Sequence, residues 1–153
     1  MNTATEMQSA PCNCVALREA ARHVTQLYDR HLAAAGLRNT QYSILARLKR
    51  LGPTTINALA QDMVMDRTTL GRSIVPLQRR RLIVARRGRD DGRSKELHLT
   101  KTGFARLDAA FKGWAKAQAQ FEGTLGGDRA LELRGLLRAV VASDVRTDLD
   151  PAE

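Results

Sequence analysis

The side chains best suited to chemistry in this chain are arginines, and most of them lie in one segment. The 153 residues carry a net charge of +9. Residues 66–95 hold ten basic side chains against three acidic ones, so +7 of that charge falls within thirty residues. Arginine presents paired donors that match phosphate groups and guanine edges. This localised excess favours a nucleic acid partner over an ordinary solvated face.

The same segment predicts a helix-turn-helix that would position some of these donors. Thr55 is expected to cap a short helix from Ile56 to about Met63, and Asp66 to cap the next helix. The buried stripe of that second helix is Leu70, Ile74 and Leu77. Polar donors at the N-terminal end of such a helix are typical of major-groove recognition. The predicted DNA contacts of this unit are Thr55, Arg67, Thr68, Thr69, Arg72 and Ser73.

The pattern then changes to the alternation of β-strands over residues 82–100. Residues 82–84 and 97–99 are predicted strands, and the turn at 89–92 contains the Asp-Gly pair that favours a hairpin. A basic hairpin directly after a helix-turn-helix is a winged helix. The wing residues predicted to contact a groove and its phosphates are Arg86, Arg87, Arg89, Arg93 and Lys95.

Helical periodicity flanks this unit on both sides. Before it, a helix over 14–35 ends at Gly36, and a second helix capped by Thr40 ends before Gly52. After it, a long helix begins at Thr100 or Thr102, and a last helix covers about 128–145. The apolar seam of the long helix, typical of a core or a subunit interface, is Phe104, Leu107, Phe111, Trp114, Phe121 and Leu125. These patterns predict a mainly α-helical fold with a small β-wing.

The remaining composition excludes several classes of protein. The chain has no run of 18 apolar residues and no basic, apolar N-terminal signal, so we expect a cytoplasmic protein without a membrane span. We find no phosphate-binding glycine loop, nucleophile elbow or paired carboxylates, and so expect neither an enzyme nor a cofactor. The spacing of Cys12, Cys14, His23 and His31 matches no structural zinc pattern, so no metal is expected. A nonspecific architectural DNA-binding protein stays an alternative.

Two segments resemble the multiple antibiotic resistance regulator (MarR) family. The run Asp91-Gly92-Arg93-Ser94-Lys95-Glu96-Leu97-His98-Leu99-Thr100, followed by Gly103, resembles the family's wing signature. The run Met65-Asp66-Arg67-Thr68-Thr69-Leu70, with Pro76-Leu77, resembles the recognition helix of one branch. The resemblance covers about residues 14–145. It departs from the family at Arg81, where a glycine usually follows the recognition helix.

The resemblance implies a homodimer in which the first and last helices of each chain interlock. Two winged helices would then bind a pseudo-palindromic double-stranded DNA operator, about one turn apart. It also implies that Asp91 fixes Arg93 at the wing tip and that Arg93 enters the minor groove. The domain organisation that follows is a disordered tail at 1–11, a helical dimerisation region at 12–37 and 104–147, a winged helix-turn-helix DNA-binding region at 38–103, and a tail at 148–153.

The resemblance further implies repression that is relieved by a signal, and two signals stay open. One is a small aromatic or anionic effector, for which the predicted lining is His23, Tyr28, Tyr42 and Trp114. The other is an oxidant acting on Cys14, at the start of the first helix. In the organic hydroperoxide branch of the family, a tyrosine fourteen residues after the reactive cysteine reaches it from the partner chain, and Tyr28 has that spacing. Arg18 stands where that branch tends to keep another tyrosine.

Overall fold

The computed structural model describes residues 11–88 and 92–143, and helices dominate this part of the chain. The elements in chain order are α1 Asn13–Leu32, a 3₁₀ helix Ala33–Ala35, α2 Asn39–Leu51, β1 Thr54–Thr55, α3 Ile56–Asp62, α4 Arg67–Arg79, β2 Ile83–Arg87, β3 Lys95–Leu99, α5 Lys101–Leu125 and α6 Gly127–Ala142. The predicted mainly α-helical fold with a small β-wing is confirmed. The predicted tails lie outside the described residues, except for Pro11 at the end of the first.

Side-chain caps begin α3 and α4 where the sequence predicts them. The hydroxyl of Thr55 accepts a hydrogen bond from the backbone N–H of Ala58 at 3.2 Å. The carboxylate of Asp66 accepts one from the backbone N–H of Thr69 at 2.8 Å. Each cap satisfies a donor that the first turn of a helix leaves unpaired.

Both helices end in the same motif, and neither uses glycine. Val64 and Arg81 adopt left-handed backbone conformations, with φ of 52° and 57°. At the end of α4, the N–H of Arg81 bonds to the carbonyl of Gln78 and that of Leu82 to the carbonyl of Leu77, each at 2.9 Å. This is the Schellman pattern of a helix C-terminus. Arg81 therefore takes the conformation for which glycine is the usual residue.

The start of α2 differs from the prediction. The helix begins at Asn39, so Thr40 lies inside its first turn and is not the cap. The side chain of Gln41 instead accepts the backbone N–H of Arg38 at 3.1 Å. Asp29 of α1 accepts the N–H of Asn39 at 2.6 Å. The prediction that Thr40 caps α2 was wrong. The acceptors come from Gln41, later in the first turn, and from Asp29, on a different helix.

The sheet has one strand more than the predicted hairpin. β2 and β3 pair antiparallel from Ile83 opposite Leu99 to Arg87 opposite Lys95. β1 joins the other edge of β3, with Thr54 opposite Leu97, which gives the order β1-β3-β2. Two residues are too few to show a period in a sequence. The extra strand fixes the base of the wing to the start of α3.

One core joins the winged helix-turn-helix to parts of α1 and α5. Its fully buried members include Leu45 of α2, Leu59 of α3, Leu70 of α4 and Ile83 of β2. Leu32 of α1, Leu107 and Ala110 belong to the same cluster. The C-terminal end of α1 and the N-terminal part of α5 are thus packed into the DNA-binding unit.

Two glycines of α5 permit close approach to neighbouring backbone. A side chain at Gly103 would collide with the carbonyl oxygen of Leu82, and one at Gly113 with that of His31. The hydroxyl of Thr100 donates to the carbonyl of Arg81 at 2.7 Å and accepts the N–H of Gly103 at 2.9 Å. These contacts fix the start of α5 to the end of α4 and the middle of α5 to α1.

The outer helices expose a large apolar surface in the single chain. Its members, on α1, α5 and α6, are Val15, Leu17, Phe104, Phe111, Leu131, Leu133, Leu136, Leu137, Val140 and Val141. Within the described ranges, no helix combines the length and apolar character needed to cross a membrane.

Candidate DNA-binding interface

Helix α4 turns three of the predicted contacts away from the core. Arg67, Thr68 and Arg72 are exposed. Leu70, Ile74 and Leu77 are buried, at 0%, 3% and 0% exposure, on the side opposite Thr68 and Arg72, whereas Arg67 lies in the first turn, three residues before Leu70. The two faces follow from the helical period, because residues three or four apart share a face. The arrangement offers two guanidinium groups and a hydroxyl at the N-terminal half of an exposed helix.

The other two predicted contacts on α4, Thr69 and Ser73, form hydrogen bonds within the helix and its cap. The hydroxyl of Thr69 donates to the carboxylate of Asp66, and that of Ser73 donates to the carbonyl of Thr69 at 3.1 Å. The Thr69 hydroxyl and then its backbone N–H hold the pKa of Asp66 below its ordinary value. The carboxylate therefore stays ionised as a cap. Thr69 and Ser73 keep their acceptor lone pairs, but their protons are committed to this network.

Thr55 is the N-cap of α3, as Asp66 is the N-cap of α4. Its half-buried hydroxyl caps α3, and its backbone belongs to β1 opposite Glu96. The structure thus gives Thr55 a structural role, and its predicted contact with DNA stays a prediction.

The wing carries its cations on two faces. Arg86 lies opposite Glu96, an oppositely charged pair, whereas Arg87 lies opposite Lys95. Like charges directly opposite each other in a sheet repel. Gly88 donates its N–H to the carbonyl of Ser94 at 2.9 Å, which closes the hairpin beyond that pair. The tip therefore presents two adjacent cations, an arrangement that a phosphate backbone would relieve.

Three further residues of the predicted DNA interface belong to the sequence segment 89–93. Arg93 is exposed and close to the Arg87–Lys95 pair in sequence. Arg89 and Asp91 lie outside the described residues, so their DNA contacts and the implied Asp91–Arg93 interaction stay predictions.

Two arginines, one inside the basic segment 66–95 and one on α5, hold the fold together instead of facing DNA. Arg80 donates to the carbonyl of Gly36 at 2.7 Å, and Arg106 of α5 donates to that of Ala35 at 2.9 Å. Both arginines satisfy carbonyl groups that follow the C-terminus of α1. Net charge alone therefore overstates the cations available to DNA.

An ion-pair cluster that the sequence analysis missed positions α3. Asp62, at the end of α3, accepts from Arg47 at 2.7 Å and from Arg50 at 2.7 and 2.8 Å, both on α2. The hydrogen bond from Arg50, with a smaller contribution from Arg47, keeps the pKa of Asp62 below its ordinary value. A carboxylate at a helix C-terminus is unfavourable without cationic partners. An aspartate at the predicted end of α3 was therefore the sequence signal for this cluster.

The four predicted effector residues do not form one site. Tyr42 and Trp114 stack with ring centroids 6.2 Å apart, and Phe111 stacks on Trp114 at 5.5 Å. His23 lies elsewhere, at a cavity of about 300 Å³ between α1 and the end of α5. The structure therefore brings Tyr42 and Trp114 together, places His23 elsewhere, and gives Tyr28 a partner on α5 one turn after Trp114.

Tyr28 belongs to a polar chain that links α1, α5 and α6. Its hydroxyl donates to the side-chain oxygen of Gln118, whose amide donates to Glu122 at 2.8 Å. Arg134 of α6 donates to the same Glu122 oxygen at 2.7 Å. Burial, followed by the nearby Glu122 charge, raises the pKa of the Tyr28 hydroxyl, so it stays a donor. The Arg134 and Gln118 hydrogen bonds lower the pKa of Glu122.

The two cysteines lie at the start of α1. Cys12 is its N-cap residue, Cys14 is in its first turn, and both are exposed and outside any disulfide. No group of three or more metal-ligating side chains occurs among the residues that the structure describes.

Comparisons with known proteins agree on one family. Residues 37–95 match the model of the MarR family. The structure of the transcriptional regulator MosR of M. tuberculosis in complex with DNA shares 34% identity, with a TM-score of 0.74 over 86% of this chain and 98% of that one. No curated protein matches the chain by sequence.

Two more distant structures share the fold. The transcriptional repressor CouR, bound to a 23-mer DNA duplex, has 24% identity and a TM-score of 0.77 over 92% of this chain and 98% of that one. Bordetella bronchiseptica BpsR, whose DNA binding is regulated by 6-hydroxynicotinic acid, has 19% identity and a TM-score of 0.80 over 89% and 97%. From the family match and the MosR identity together, this chain belongs to the MarR family of winged helix DNA-binding transcriptional regulators.

Proposed function

We propose that this protein is a cytoplasmic homodimeric repressor, without catalytic activity of its own, that binds a pseudo-palindromic DNA operator. In each chain α4 enters the major groove and the wing contacts the adjacent minor groove and phosphates. The observation that carries the proposal is the pairing of two cationic surfaces in one unit: the exposed arginines of α4 and the like-charged Arg87–Lys95 tip. MosR and CouR, which are similar in fold, are both solved with DNA.

The dimer is supported by the apolar surface of the outer helices. Leu136 and Val141 of α6 are 60% and 61% exposed. The helix that carries them is regular over 16 residues. Exposed apolar patches of this kind mark interaction surfaces. A second copy would cover them and set the distance between the two α4 helices.

Selection of binding sites from random DNA tests the proposal directly. A regulator should favour one palindromic sequence over random DNA by at least about 10³-fold. Uniform affinity across sequences would instead support the architectural alternative. Placing the selected site upstream of a reporter then separates repression from activation.

Variants of α4 and of the wing distinguish base recognition from phosphate anchoring. Arg72→Ala should reduce discrimination between the selected site and a mutated one by about 1–3 kcal/mol, because a guanidinium reads a guanine edge bidentately. Arg87→Ala should weaken all sequences alike and lower the slope of the salt dependence by about one unit for each phosphate that it ceases to neutralise. Arg89→Ala is expected to behave like Arg87→Ala. Identical behaviour of the α4 and wing variants would contradict this division.

Relief of repression by a small molecule is part of the proposal, and BpsR shows that this fold accommodates such control. The stacked Tyr42–Trp114–Phe111 group is the better supported candidate for contact with an aromatic effector, because it reaches from the core to an exposed ring. Trp114→Phe should shift the effector concentration needed to release DNA. Tyr28→Phe, outside the stack, is the matched control.

A second candidate function is control by an oxidant through Cys14. The exposure of this thiol in the first turn of α1 favours it, because an oxidant in solution can reach the sulfur. DNA affinity should then fall on treatment with an organic hydroperoxide in the wild type but not in Cys14→Ser. Cys12→Ser is the matched control, and an equal response of all three proteins would exclude Cys14 as the sensor.

A further inference from the structure

Val75 of α4 is an apolar side chain on a face where the fold does not need one. Positions 68, 72, 75 and 79 follow one another at spacings of four, three and four. At about 100° per residue they fall within about 60° of each other, opposite the buried stripe. The other three side chains on this face are Thr68, Arg72 and Arg79. Val75 is 40% exposed, whereas the adjacent Ile74 is 3% exposed.

Neither packing nor helix formation accounts for this valine. Val75 belongs neither to the buried cluster nor to the partly buried side chains packed against it. A β-branched residue is also less favourable in a helix than alanine or the long polar residues. Its setting between Arg72 and Arg79 is the part of α4 that the proposed function turns towards the bases.

The major groove contains one apolar group, the C5 methyl of thymine. We propose that Val75 reads that methyl in each half of the operator, so that a thymine is specified by an apolar contact. This inference rests on the proposed function. Three helical residues span about 4.5 Å and one base-pair step about 3.4 Å. The thymine therefore lies one or two base pairs from the base that Arg72 contacts.

Replacement of single thymines by deoxyuridine tests the contact, because it removes only the methyl. On the operator obtained by selection from random DNA, one such replacement in each half-site should weaken wild-type binding about fifteenfold, or about fourfold for each of the two buried methyls. Val75→Ala should bind the unmodified operator about as weakly as wild type binds the uracil operator. It should also lose its sensitivity to uracil at that position.

Gln78→Ala is the matched control, since Gln78 is exposed on α4 but outside this face. It should keep the wild-type uracil profile. Circular dichroism and thermal unfolding of Val75→Ala should match wild type, because an exposed side chain is being shortened.

The outcomes distinguish the Val75 contact from the proposed function on which it rests. A uracil profile of Val75→Ala identical to that of wild type, or no sensitive thymine one or two base pairs from the Arg72 contact, would overturn the role of Val75. Neither result would contradict the proposed function as a DNA-binding regulator. Failure of the wild-type protein to select any sequence would overturn the proposed function itself.

Discussion

Apolar side chains are exposed to different extents in two regions of the molecule. One region is the winged lobe, residues 38–103, and the other is the outer helices α1, α5 and α6. In the lobe, leucines such as Leu45, Leu59 and Leu70 are completely buried within one chain. On α6, a single residue, Ala130, is buried among those the structure describes, while Leu131 and Leu136 are more than half exposed. The apolar residues of the lobe are buried within one chain, partly against the adjoining ends of α1 and α5, whereas the outer helices also carry apolar surface that the single chain leaves uncovered.

The exposed surfaces differ in the same way. The lobe exposes arginines on α4 and at the wing tip, and the outer helices expose leucine, valine and phenylalanine. Water solvates guanidinium groups well and apolar groups poorly. We therefore expect substitutions in the two regions to change different measurable quantities, and the following four test that expectation.

The largest effect is expected from Leu136→Asp on α6, which is 60% exposed in one chain. If a second copy buries this leucine, each dimer loses two buried side chains, worth about 3–6 kcal/mol of association. The dissociation constant of the dimer should then rise at least about a hundredfold, as measured by sedimentation. Arg138→Ala, exposed on the opposite face of the same helix, should leave it unchanged. An unaltered dimer in the aspartate variant would place the interface elsewhere.

A smaller loss is expected from Leu70→Ala in the lobe. Its side chain is 0% exposed, so the variant creates a cavity and should lower the free energy of unfolding by about 2–5 kcal/mol. Urea denaturation measures this change. In contrast to Leu136→Asp, the loss should be the same at every protein concentration. A loss below about 1 kcal/mol would mean that the lobe core is less closely packed than its burial indicates.

Gly113→Ala tests the contact between α1 and α5. Because an added Cβ would collide with the carbonyl of His31, one helix must shift, and overpacking of this kind costs about 1–3 kcal/mol. Thermal unfolding should show the loss. Gly123→Ala, further along the same helix with open space around it, should instead stabilise by up to about 1 kcal/mol. The same sign in both variants would argue against a close contact at Gly113.

The smallest effect, and a gain, is expected from Arg81→Gly. At φ of 57° an arginine is strained where glycine is not, so the replacement should stabilise the protein by about 0.5–1 kcal/mol. Chemical denaturation would detect it. Arg79→Gly, inside the last turn of α4, should destabilise by a similar amount. A destabilised Arg81→Gly would show that the arginine side chain makes a compensating contact.

The features that could be predicted from the sequence are those set by near neighbours in the chain. Thr55 and Asp66 cap their helices because the acceptor and the N–H lie three residues apart. Local reasoning failed at Thr40, where distant Asp29 supplies one of the acceptors that begin α2.

The candidate site shows the same division. The exposed face of α4 follows from its period, so Thr68 and Arg72 are exposed opposite the core, and Arg67 is exposed in the first turn. Their contacts with DNA stay predictions. Asp62 with its two arginines was missed because the ion pairs join different helices. The four effector residues were grouped by chemical type, and no periodicity reveals how far His23 lies from Trp114.

The attachment of α5 at Gly103 and Thr100 has a mechanical consequence. This helix runs for 25 residues from the base of the wing to α6, about 37 Å. A tilt of about 5° at its far end moves the wing end by about 3 Å, close to the roughly 3.4 Å rise of one base pair. Such a lever converts a small rearrangement among the outer helices into a shift of register on DNA. Under the proposed function, a small movement at the effector's own site would therefore be enough to release the operator.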